Sequence, residues 1–110
     1  MNNQEYERKK RECWEEYCQT HPLCNTPVMR LNFDWTFDRA YALGKGVIQK
    51  GKTLDTYLTD EDIENVRAEY KAMVKAYESP RNSGEKEYAK GYMEALEWLF
   101  GIRFLTNKNK

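Results

Sequence analysis

The chain has 110 residues, a length that suits one domain burying roughly two thirds of the surface its unfolded form exposes. Its 18 Lys and Arg balance its 18 Asp and Glu, so no net field draws it to nucleic acid or to an anionic membrane. No apolar run nears the roughly 20 residues of a membrane-spanning helix, and "MNNQEYERKKREC" lacks a hydrophobic signal core, so a cytoplasmic protein is expected. Eight Tyr and three Trp exceed what a minimal helical core needs, which leans toward a binding protein, because these side chains anchor interfaces.

From about Asn3 to Thr20, Tyr6, Lys10, Cys13, Trp14, Tyr17 and Cys18 recur at spacings of three and four. This predicts an amphipathic helix with Glu7, Arg8, Arg11, Glu12 and Glu15 outside. Pro22 pushes His21 out of helical geometry and ends it near Thr20. The stretch "HPLCNTPVMRLN" then reads as an ordered connector. A second helix is expected to start near Asn32 or Asp34, with Phe33, Phe37, Ala40, Tyr41, Gly44, Val47 and Ile48 on one stripe. Its continuation past Gly44 is open, since each interior glycine costs about 1 kcal/mol relative to Ala.

Thr59 reads as the N-cap of a third helix, with Asp60, Glu61 and Asp62 where the helix dipole favours carboxylates. Ile63, Val66, Tyr70, Met73, Val74 and Tyr77 form its buried row, and it ends before Pro80. A fourth helix takes Ser83 as N-cap and Gly101 as C-terminal cap, burying Tyr88, Tyr92, Ala95, Leu96 and Leu99. The expectation is therefore an all-α fold over residues 1–110: one small domain of about four helices. The third and fourth form an antiparallel hairpin that carries the fold, and 106–110 form a short flexible tail.

The window "CWEEYCQTHPLC" holds all three cysteines and the only histidine. An odd cysteine count in a reducing compartment argues against a disulfide framework. Cys13, Cys18, His21 and Cys24 have the ligand types of a Cys3His zinc site, but the C-x4-C-x2-H-x2-C spacing matches none of the common zinc motifs. An unbroken helix would set Cys13 and Cys18 about 140° apart around its axis, with Cα atoms roughly 8 to 9 Å apart. Small apolar packing residues are the favoured reading, and neither metal nor cofactor is expected; zinc is the alternative, and it requires the helix to break by about Glu16.

Asp34 and Asp38 are four apart and share a helix face, a spacing that suits a cation or an acid-base pair, though capping and pairing with Arg30 or Arg39 is the simpler role. "GKGVIQKGK" lies in an acid-free strip from Arg39 to Lys52 that could cradle a phosphate. It lacks the Gly-Lys-Ser/Thr ending of a P-loop and reads better as a solvated basic linker. With one histidine, two serines and no nucleophile elbow or zinc-protease motif, the chain is not expected to be an enzyme.

The strings "NFDWTFDRAYALGK" and "EYAKGYMEALEWLFG" resemble segments of small uncharacterised proteins of bacteriophages and integrated elements of Bacteroidota. The resemblance covers about a quarter of the chain and implies a genomic setting in which proteins of this size commonly inhibit host factors by stoichiometric binding. The leading expectation is a protein that inhibits a bacterial defence complex, such as a CRISPR effector, by binding a protein or ribonucleoprotein target. The contact would be held by Trp35, Tyr57 and Trp98 on exposed faces, helped by Lys45, Lys50 and Lys52. A small nucleic-acid-binding module, zinc-stabilised or using the basic strip, and an oligomeric phage assembly protein closed by its aromatic face are the alternatives.

Overall fold

The computed structural model describes residues 3–50, 59–82 and 84–106, with the backbone alone described at Asn3 and Lys50. Among them are five α-helices, one 3₁₀ turn and no strand: α1 (Asn3–Thr20), the turn Pro22–Cys24, α2 (Pro27–Lys50), α3 (Asp60–Glu78), α4 (Glu85–Phe100) and α5 (Ile102–Thr106). The all-α expectation holds, with one more helix than expected, and α3 packs against α4.

The α2 helix starts at Pro27, five or more residues earlier than expected. Thr26 caps it, its Oγ1 accepting from the Met29 N–H at 3.2 Å and its carbonyl from the Arg30 N–H at 3.0 Å. Pro27 sits at the first helical position, where its missing N–H costs nothing and its fixed φ is already helical. Pro27 therefore opens α2 and is not part of the expected connector. The helix also survives its glycines: a Cβ at Gly44 would lie 2.5 Å from Leu99 Cδ1, so that glycine admits α4 and does not break α2.

α3 begins as expected. Thr59 Oγ1 accepts from the Asp62 N–H at 3.1 Å, and the Asp62 carboxylate accepts from the Thr59 N–H at 3.0 Å, a reciprocal capping box. For α4 the expected cap, Ser83, lies outside the described residues. Gly84 holds the N-cap position at φ +100° and Gly101 the C-cap at φ +87°, both left-handed conformations that favour glycine. The run after Gly101 is helical through Thr106, and its Leu105 is buried; 107–110, the rest of the expected flexible tail, lie outside the described residues.

The most extensive packing is between α2 and α4, ahead of α3 with α4, so the expectation that the third and fourth helices carry the fold is corrected. α4 is enclosed on several sides: Glu87, Ala89, Gly91, Tyr92, Met93, Ala95 and Leu96 are all buried. Phe33, Phe37 and Ala40 of α2, Cys13, Trp14 and Tyr17 of α1, and Val66 and Tyr70 of α3 complete the core around it.

Tyrosine hydroxyls meet carboxylates across the helix interfaces. Tyr17 donates to Glu87 at 2.6 Å, Tyr70 to Glu97 at 2.7 Å, Tyr92 to Glu69 at 3.0 Å, and Tyr6 to Asp38. Burial and the acceptor carboxylate together raise the pKa of all four phenols, so they stay protonated donors. Glu87 is 2% exposed and would be costly to leave unpaired. Tyr17→Phe, which removes one hydroxyl and little volume, is expected to destabilise by about 1 to 3 kcal/mol in urea unfolding; a loss under about 0.5 kcal/mol would show that this bond adds nothing net.

Candidate protein-interaction surface

Each residue of α2 advances about 100° around the axis. Phe33, Phe37, Ala40 and Gly44 turn inward, and Val28, Leu31, Trp35, Ala42 and Leu43 fall on the opposite side. There Val28 is 64% exposed, Leu31 67%, Trp35 55% and Leu43 47%. A helix facing solvent on that side would ordinarily carry charges, as α1 does with Arg8, Glu12, Glu15 and Glu16. The outer side of α2 instead sets exposed Val28, Leu31, Trp35 and Leu43 beside exposed Asp38, Arg39 and Gln49, while α4 and its neighbours cover the inner face.

Trp35 stands at the middle of the outer face and is held there. Its ring lies 5.7 Å from the Tyr88 ring of α4, and the Arg39 guanidinium sits 5.4 Å from its centroid. A large side chain whose orientation is set before binding loses less conformational freedom on contact. At the N-terminal end of the row, Trp14, Asn25, Thr26, Pro27, Arg30 and Leu31 line a hollow of about 460 Å³.

The other residues expected at the contact are placed differently. Trp98, expected on an exposed face, is half-buried: its ring stacks near Tyr41 (5.5 Å), Tyr6 (6.3 Å) and Phe37 (6.3 Å), joining α4 to α1 and α2. Lys45 is half-buried on α2, about 80° around the axis from Trp35. Lys50 ends α2, with its side chain outside the description, and Tyr57 and Lys52 lie outside the described residues. The stretch Gly44–Lys50 is helical, so its backbone amides are spent within α2 and do not form the phosphate cradle weighed above.

The cysteine window is tied into packing. α1 runs unbroken through Cys18 to Thr20, and Cys13 is buried, its thiol facing Glu94 Oε1 at 3.6 Å. The His21 ring stacks on Tyr17 at 4.4 Å, with Nδ1 2.8 Å from Thr20 Oγ1 and 3.2 Å from the Tyr17 carbonyl. Burial, helped by Glu94, pushes the Cys13 thiol up to about 12. Burial also raises Cys18, and a hydrogen bond to Glu87 raises Cys24. Thiols held protonated in this way are poor nucleophiles. Among the described residues no group of three or more His, Cys, Asp or Glu side chains is placed to hold a metal ion.

Asp38 clasps α1 to α2, and Asp34 pairs within α2. Asp38 accepts from Lys10 Nζ at 3.0 Å and from Tyr6, while Asp34 pairs with Arg30 at 3.4 Å and leaves its Oδ1 buried without a hydrogen-bond partner. Burial raises the Asp34 pKa against the opposing pull of Arg30 and Lys10. A carboxyl whose folded pKa exceeds its unfolded value contributes stability when protonated, and that contribution is lost as pH rises through the folded pKa. Asp34→Asn is therefore expected to hold or raise Tm at pH 7 and to lose that advantage as pH falls through the raised carboxyl pKa, where the wild-type side chain protonates. A variant melting several degrees lower at pH 7 would show that the Arg30 pair outweighs the burial cost.

A second hollow, of about 540 Å³, lies between α3 and α5 and is lined by Glu64, Arg67, Tyr70, Lys71, Val74 and Leu105. Arg67 there is committed to the Phe104 carbonyl at 2.9 Å and to the Phe104 ring at 4.7 Å.

A helix starting at Asn32 or Asp34 hides the outer row; with Pro27 as the first position, Val28, Leu31 and Trp35 fall on one side of α2. Comparison with known protein families, characterised proteins and solved structures finds no match to this chain. Among the described residues no helix is long and apolar enough to cross a membrane.

Proposed function

We propose that this chain is a small phage- or mobile-element-encoded interaction protein, a stoichiometric inhibitor of a bacterial defence complex that works in the host cytoplasm by covering a surface and not by turnover. The observation that supports this reading best is the outer face of α2, an uncovered apolar row with an oriented tryptophan at its centre. The genomic setting rests on the resemblance of the two sequence strings. Ionisable groups at the helix interfaces serve structure: Tyr17 with Glu87 and Lys10 with Asp38 hold helices together, and Lys90 pairs with Glu94 within α4. The nucleic-acid reading has less support, because the stretch Gly44–Lys50 is helical and spends its backbone amides within α2.

The test is affinity capture of bacterial defence complexes on the full chain, followed by titration of the captured activity. Inhibition is expected to saturate near about one copy per target complex. Complete inhibition well below that ratio would mean turnover, and capture of nucleic acid without protein would favour the alternative module.

A further inference from the structure

We infer that the occupant of the α2 outer face is an acidic amphipathic helix of the target. This deepens the proposed function and rests on it. Val28, Leu31 and Trp35 lie within about 60° of arc on a helix of 24 residues, with Leu43 at the flank about 80° from Trp35, and the ridge they form runs about 22 Å along the axis. Spacings of three, four and eight residues along such a ridge match the grooves between side chains of a second helix. The hollow beside Leu31 offers a seat for one apolar anchor.

Charge selects the partner. The ridge holds one ionisable group, Arg39, which is exposed, lies against Trp35 and has no carboxylate in ion-pair contact among the described residues. The acids of the same helix are engaged elsewhere, Asp34 with Arg30 and Asp38 with Lys10 and Tyr6. A carboxylate on the arriving helix would meet Arg39 beside the tryptophan, where partial desolvation strengthens a charge-assisted hydrogen bond. A second copy of the chain fits less well. Antiparallel pairing about the middle of the ridge would set Trp35 against Trp35 and Arg39 opposite the second copy's Leu31, which supplies no carboxylate to the guanidinium.

The experiment selects helix-forming peptides from a displayed random library against the full chain, then titrates the selected peptides in solution against the wild type, Arg39→Glu and Trp35→Ala. Selected peptides are expected to share an apolar row at spacings of three and four with at least one Asp or Glu beside it. Changing that acid to Lys should weaken binding at least about tenfold, and Arg39→Glu should restore the Lys version while weakening the original. Circular dichroism of Arg39→Glu and Trp35→Ala must first match the wild type. No enrichment, enrichment without charge preference, or unchanged binding to Trp35→Ala would overturn the inference. So would sedimentation of the protein alone as a dimer that Trp35→Ala dissolves, which would make a second copy the occupant. If the peptides fail while Trp35→Ala still abolishes capture of the target complex, the helix partner falls and the proposed function stands; if capture is also indifferent to Trp35, both fall.

Discussion

Gly91→Ala is expected to destabilise the protein by about 3 kcal/mol or more, a fall in Tm of about 10 °C or more for a chain of this size. Gly91 sits on the face of α4 that meets α2. A Cβ there would overlap the Phe33 carbonyl oxygen and Thr36 Oγ1 and lie 3.0 Å from the Phe33 carbonyl carbon. Two of those three atoms are backbone, and the third is fixed, because Thr36 Oγ1 donates to the Asn32 and Phe33 carbonyls at 3.0 and 3.1 Å. No side-chain rotation relieves the clash, so the helices must separate across the most extensive interface in the described chain. Alanine gains about 1 kcal/mol of helix propensity, too little to offset that. Gly46→Ala is the matched control. An added Cβ at Gly46 meets nothing within 4 Å, and the same propensity gain should appear there as a small rise in Tm. Equal, mild effects at both glycines would mean that α2 and α4 are not so closely apposed.

Trp35→Ala is expected to leave the fold intact and to weaken target binding by about 2 kcal/mol or more, roughly thirtyfold. The side chain is 55% exposed, so little core packing goes with it, whereas on the ridge it is the largest apolar group and the one most firmly oriented. Trp98→Ala should behave in the opposite way. Its ring lies among Tyr6, Phe37 and Tyr41, so truncation should cost about 3 kcal/mol of stability. Thermal melts read the stability of both variants, and titration against the captured target reads the affinity of Trp35→Ala. Undiminished binding by a folded Trp35→Ala variant would remove the outer face of α2 from the contact.

The helices themselves were legible in the sequence wherever local chemistry decides. Residues three and four apart set the inner faces of α1, α3 and α4, and Thr59 with Asp62 forms a cap from four consecutive residues, so neither depends on the rest of the chain. The all-α class follows from the same periodicity. Local signals with two readings were harder: Pro27 can break a helix or begin one, and Thr26 decides for the second. Only the tertiary structure showed which face of α2 is covered, that Trp98 turns into an aromatic cluster while Trp35 turns out, and that Glu87 lies buried under Tyr17. These depend on residues up to 92 positions apart in the chain, from Tyr6 to Trp98, and helical period alone ranks a residue's face without naming what packs against it. Gly91 shows the same limit: in sequence it is a weak point in a helix, and only the Phe33 backbone lying against it makes it the point where two helices touch.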